Sequence, residues 1–255
     1  MTAPSEPMGQ YVYAIIDASD PVTFDSKGIG GRGDTVHTLV EGRLGAVVSD
    51  SPMIEYDNTR RNMMAHTVVL EEIMRRFTML PVRFGTVAPH ADIIVSKLLR
   101  SRRDELANLL ERMRDRIEVG LKAQWYEGAI FPEVLVENPA IRSLRDKLSG
   151  LPAERTHFDR VRLGEQIALA VERKRTSDEQ LILDRLRSFV HMTRLNKPIG
   201  DRMVINAAFL VDRQVERDFD EAVRRMDEDL GARFQFKYVG PVPPYNFVNI
   251  SVNWN

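Results

Sequence analysis

The chain has 255 residues, and its 36 Lys and Arg against 37 Asp and Glu leave a formal net charge of −1, which excludes a generic cationic binder of nucleic acid or anionic membrane. Hydrophobic residues at 43% and charged residues at 29% describe a folded globular protein, not a disordered one. Without cysteine, disulfides, thiolate nucleophiles and cysteine-ligated metals are ruled out, and stability has to come from packing.

The opening MTAPSEPMGQ has neither the basic stretch nor the apolar core of a secretory leader, so a cytoplasmic location is expected. Tyr11 to Asp17 (YVYAIID) is aromatic and β-branched and reads as a strand, after which Pro21 and the glycines at 28, 30, 31 and 33 predict a long loop. Gly28 to Gly33 satisfies G-x-G-x-x-G literally. A dinucleotide site, however, needs a strand directly before that pattern and a helix opening from it, whereas Pro21 intervenes and Asp34 to Val40 is strand-like, so a flexible surface loop is expected. Asp34 to Val40 and Leu44 to Ser49 flank Glu41-Gly42-Arg43, a hairpin connection. Met63, Thr67, Leu70, Met74 and Phe77 then recur at helical spacing, and that helix stops before Pro81. Met63, Met64 and Met74 are expected in the core. Leu80 to Val87 (LPVRFGTV) reads as a strand, Ile94 to Met113 as helix interrupted near Ser101, and Ile117 to Trp125 alternates strictly.

Strands and helices in this order predict an α+β fold of two domains, the first ferredoxin-like with helices on one face of its sheet. Gly128 to Pro139, with two prolines and little periodicity, marks the expected crossing between domain 1–127 and domain 128–255. Beyond it, Asn138 caps a helix with Pro139 at its first position and Gly150 past its end. Phe158 to Val171 predicts a second helix, and Ser177 with Gln180 has the capping-box spacing of a third that runs through Leu186, Phe189 and Val190. A β-α-β unit closes the chain: Met203 to Val211 as strand, Asp212 as cap, a helix striped by Phe219, Val223 and Met226, Gly231 as stop, and Arg233 to Val239 as strand. The apolar run Met203 to Val211 is far short of the ~20 residues of a membrane span.

Chemistry-bearing patterns are missing. His37, His66, His90, His157 and His191 have no metal-ligand spacing, and there is no nucleophile elbow or Walker A loop, so no catalytic residue, metal or cofactor is expected. His66 and His191 read as packed or solvated side chains, and most carboxylates as solvated helix faces. Two segments stand out. Arg83 inside the apolar LPVRFGTV needs a carboxylate, carbonyls or a ligand, either as an internal stitch or as a partner contact. Gly240 to Phe247 (GPVPPYNF) is a proline-stiffened turn with two aromatics, either a packed crossover or a rigid docking surface.

With YVYAIID, LPVRFGTV, NAAFLVDR at Asn206 to Arg213 and YVGPVPPYNFV at Tyr238 to Val248, in that order, the chain resembles the gas vesicle proteins of the F/L type (GvpF/GvpL). The resemblance covers most of the chain. It implies a non-enzymatic accessory or minor structural protein of gas vesicles, the hollow protein-walled buoyancy organelles, without cofactor, that binds the small hydrophobic shell protein GvpA and assists vesicle assembly alongside other accessory proteins. Its signature positions map to Pro81, Arg83, Phe84 and Gly85 and to Gly240, Pro241, Pro243, Pro244 and Tyr245, of which Arg83, Phe84, Pro243, Pro244 and Tyr245 are the candidate partner-binding or fold-determining residues. An assembly factor for an apolar subunit needs an exposed apolar patch or strand edge on a soluble body. Two other readings compete: a small-molecule-binding or catalytic α+β protein with an interdomain cleft, and an RNA binder presenting Tyr11, Tyr13, Phe234 and Phe236, against which the charge balance argues.

Overall fold

The computed structural model describes residues 7–254, so the leader reading of the first residues lies outside it. The fold is α+β, in two compact units. One comprises the chain up to Glu118 together with the segment from Pro241 onward, and the other is Val119–Gly240. The expected crossing at Gly128 to Pro139 therefore lies inside the second unit, and the closing segment belongs with the first.

In the first unit the strands run β1 (Met8–Asp17), β2 (Thr23–Lys27), β3 (Thr35–Glu41), β4 (Leu44–Pro52), β5 (Met79–Pro81) and β6 (Val87–Ala88). They form a sheet of order β2-β3-β4-β1-β5, with β6 also on β1. The β3–β4 hairpin forms as expected, Val40 opposite Gly45. β2 replaces part of the expected loop. The glycine segment joins β2 to β3, with the Gly28 amide on the Asp34 carbonyl at 2.8 Å and Ile29 fully buried, so it is pinned, and no helix opens from it.

β1 is the centre of this sheet. Its register with β4 slips between Val12 and Ala14, and an extra residue in a strand reverses the phase of its faces. Tyr11 before the slip, Tyr13 as the extra residue at it, and Ala14 and Ile16 after it consequently join one core with Val69, Leu70 and Ile73 of helix α1 (Arg60–Arg76). Thr59 caps α1 by accepting from the Asn62 amide. The buried face of α1 is His66, Val69, Leu70 and Ile73, which leaves Met64 56% exposed and Met63 exposed as well, contrary to their expected place in the core. Helix α2 (Ala91–Ile93) runs into a wider turn over Ile94–Arg100, and after the interruption at Ser101 α3 (Arg103–Met113) follows.

The second unit has chain order β7 (Arg116–Trp125), α4 (Ile130–Glu137), α5 (Pro139–Ser149), α6 (His157–Leu186), β8 (Val190–Leu195), β9 (Met203–Asp212), α7 (Glu216–Leu230) and β10 (Phe234–Val242). Its sheet order is β10-β7-β9-β8. Helices between β7 and β8 and between β9 and β10 make this the ferredoxin-like connectivity, seen in full in this unit. Ile117, Val119, Leu121, Ala123 and Trp125 are buried along β7, as its alternation predicts, and Phe219, Val223 and Met226 are the buried stripe of α7.

Three expectations fail here. α4 fills the expected linker, because Pro132 falls in a first helical turn, where a missing N–H costs nothing. α6 is one helix of 30 residues, since the Ser177 pattern lies mid-helix, next to Asp178, whose carboxylate is buried beneath Trp125. Phe189 and Val190 leave the helix, and β8 begins.

Trp125 donates its indole N–H to Asp178 at 2.9 Å, and Arg233 spans Asp178 (3.0 Å) and Glu133 (2.6 Å). Lys174 adds a contact to Glu133 at 3.2 Å. The hydrogen bonds from Arg233 hold the Glu133 carboxyl below its usual range. This cluster ties α4, α6 and the start of β10 together, whereas the exposed Glu221–Arg224 pair on α7 contributes little.

Candidate functional site

The two segments singled out in the sequence meet in the first unit. The LPVRFGTV segment is two short strands around a turn rather than one strand: the Val82 amide donates to the Tyr13 carbonyl and the Val12 amide to the Thr86 carbonyl, both at 2.9 Å, so the turn between them is anchored on β1. Gly85 reverses the chain at φ +79°, a conformation open to glycine and costly for other residues. Its amide donates to the Tyr11 hydroxyl at 2.9 Å.

His66 of α1 lies fully buried behind this turn. Its Nδ1 is 3.0 Å from the Tyr11 hydroxyl and its Nε2 3.1 Å from the Tyr245 hydroxyl in the proline-rich turn. Tyr11 already accepts from Gly85, so its proton needs an acceptor, and Nδ1 is the one in reach. Nε2 then carries the ring proton and donates to Tyr245. Tyr13 stacks on the imidazole at 5.6 Å, Phe84 meets it edge-on at 5.4 Å, and burial lowers the His66 pKa to about 4. Burial also pushes Tyr11 far above the usual tyrosine range and Tyr245 up to about 12, although Tyr245 as a whole residue is 46% exposed. The next residue, Asn246, donates its amide (2.8 Å) and its side-chain Nδ2 (2.6 Å) to buried Glu118, whose pKa burial raises against these two donors.

The predicted site residues therefore separate. Phe84 is packed, Pro243 and Pro244 are buried, and Tyr245 joins that core by its hydroxyl. Arg83 is not in the apolar interior. The strand has ended at Pro81, and the Arg83 side chain is exposed at the mouth of a polar cleft of about 490 Å³ shared with Tyr56, Thr86 and Trp254. His66, read from sequence as a packed or solvated side chain, is the centre of the network. The one available signal was an imidazole on the buried side of α1's stripe. A fixed, neutral, doubly bonded imidazole holds three segments in place and has no open space for a substrate. Among the described residues no three His, Asp or Glu gather as metal ligands.

A different surface is open to a partner. In the second unit, Phe158 is 86%, Val136 71% and Leu169 65% exposed, with Phe131 and Val161 also in solvent. Beside Leu169, Pro139, Ala140 and Ile141 line a groove of about 400 Å³. An exposed apolar side chain marks an interaction surface where it adjoins other apolar groups, as Leu169 adjoins Ile141 along this groove. No helix among the described residues is long and apolar enough to cross a membrane.

A family model described as "Gas vesicle synthesis protein GvpL/GvpF" matches residues 9–249. The chain belongs to the GvpL/GvpF family. Gas vesicle protein F of Streptomyces sp. (strain CB03234) is 32% identical over 94% of this chain and 100% of its own length. Gas vesicle protein L of the same strain is 28% identical over 95% of this chain and 93% of its own. The crystal structure of GvpF from Anabaena sp. PCC7120 superposes with a TM-score of 0.84 at 27% identity, covering 96% of this chain and 99% of that one. The ordered segments that carried the resemblance thus belong to a GvpL/GvpF protein matched over nearly its whole length, and its place is with gas vesicles.

Proposed function

We propose that this GvpL/GvpF protein is a non-enzymatic assembly factor or minor structural component of cytoplasmic gas vesicles that binds the small hydrophobic shell protein GvpA, alongside other accessory proteins. The observation that carries this reading is the exposure of the large apolar side chains Val136 on α4 and Phe158 and Leu169 on α6. Covering a large apolar side chain contributes about 1.5–3 kcal/mol, so a few such residues give a specific grip on an apolar subunit without any charged partner. Of the signature residues, we assign Arg83 to partner contact and Phe84, Pro243, Pro244 and Tyr245 to holding the turn that presents it.

Co-purification of the full chain with tagged GvpA tests the proposal. The wild type is expected to be retained, and Phe158→Asp with Leu169→Asp to weaken retention at least about tenfold with an unchanged circular dichroism spectrum. No association of the wild type, together with normal vesicles in a strain lacking the gene, refutes it.

A further inference from the structure

The order β10-β7-β9-β8 leaves β8 at an edge of its sheet. On its inner side β8 pairs with β9, Thr193 opposite Phe209 and Leu195 opposite Ala207. The Asn196 amide donates to the Asn206 carbonyl at 2.7 Å. Residues of an antiparallel strand alternate between bonding across the pair and away from it, so Thr193 and Leu195, both exposed, turn their N–H and C=O groups outward. Alongside this edge, apolar Leu183, Val190, Met192 and Phe209, together with polar Gln180 and His191, line a groove of about 360 Å³. A row of outward main-chain groups next to a partly apolar groove is what strand addition uses: the ladder supplies attraction, and the groove takes every second side chain.

Charge narrows the occupant. From Arg185 to Gly200 the chain carries Arg185, Arg187, His191, Arg194 and Lys197 and no carboxylate. Arg185 and Arg187 are engaged by Asp229 and Asp184, while Arg194 and Lys197 extend into solvent beside the edge. A second copy paired antiparallel with Thr193 against Leu195 would set Arg194 against Arg194, a like-charge contact that disfavours that register. We infer that the β8 edge accepts an added strand from a partner protein, an extended segment that alternates apolar side chains with carboxylates. This surface is separate from the helical one proposed for the shell protein and does not depend on it.

The test uses the full chain and fluorescein-labelled peptides that alternate Val with Glu or Val with Lys, read by fluorescence anisotropy. The Val-Glu peptide is expected to bind saturably, more weakly as salt is raised, and at least about tenfold tighter than the Val-Lys peptide. Thr193→Pro removes an outward N–H without touching the β9 ladder, so it is expected to cut binding about tenfold or more with its melting midpoint retained. Arg194→Glu with Lys197→Glu is expected to move the preference to the Val-Lys peptide, and this variant decides the matter if Thr193→Pro fails to fold. Binding of neither peptide overturns the inference and leaves the cations as guards that keep the edge unpaired. Equal binding by the wild type and the two variants overturns it too, as does a wild-type dimer that Thr193→Pro dissociates, since the edge would then pair with itself.

Discussion

Titrating His66 should loosen the first unit. Its pKa is lowered from 6.5 to about 4, with burial as the cause, and each pH unit separating the folded from the unfolded value corresponds to about 1.4 kcal/mol. As pH falls through 6.5 the unfolded chain takes up a proton at His66 while the folded chain stays neutral, so stability is lost progressively until the folded group also titrates near 4. The full effect is about 3 kcal/mol between pH 7 and pH 4, a large part of the ordinary margin of a domain. His66→Gln removes the titration. At pH 7 the variant is expected to be less stable by about 1–3 kcal/mol, through disturbed bonds to Tyr11 and Tyr245, but its stability should fall less steeply, so the gap closes or reverses by pH 4. Carboxylates titrate in both proteins and cancel in the comparison. Hydrogen exchange of the Tyr11 to Ile16 amides is the appropriate assay, because it reports the unit that contains His66 even if the other unfolds independently. Parallel pH profiles for the two proteins would refute the reasoning.

Two further substitutions probe the frame around the site. Gly85→Ala meets no atom within 4 Å of the new Cβ, so its cost is conformational at φ +79°, about 1–2 kcal/mol, read as a fall of roughly 2–8 °C in melting midpoint; an unchanged midpoint shows that the turn does not need glycine. Asp178→Ala orphans the Trp125 indole N–H and removes a buried counter-charge of Arg233, an expected cost of about 3–5 kcal/mol in urea unfolding followed by tryptophan fluorescence. Asp178→Asn keeps an acceptor for the indole and should cost less, and the opposite ranking would remove that cluster as the tie between α6 and its sheet.

What the sequence disclosed follows from how strongly each element is buried. β1, β7 and β9 are central strands, and their β-branched, aromatic or strictly alternating residues announced them. β2 and β8 are edges, where TFDSK and VHMTRL satisfy no burial pattern, so they passed for loop and helix. Ser177 and Gln180 mimicked a cap because the motif is local, whereas the reason for continuing the helix is the distant Trp125 over Asp178. The site shows the same division. Proline and aromatic content drew attention to Pro243, Pro244 and Tyr245. That their turn closes on His66, 179 positions away from Tyr245 in the chain, is a tertiary fact with no local trace. Arg83 was placed in the interior because Val82 and Phe84 are apolar, but the Gly85 reversal turns that stretch outward.

The return of the segment from Pro241 to the first unit sets an order of events during synthesis. A ribosome releases β1 and α1 early, then the whole of Val119–Gly240, and only afterwards Tyr245 and Asn246. The second unit is contiguous and can close while the first still waits for its last pieces. Until they arrive, Nε2 of His66 has no tyrosine to bond and Glu118 no asparagine, so a nascent chain halted before residue 241 presents an unfinished Tyr11–His66 face. Completion of that face is a record that the chain has been made at least as far as Asn246.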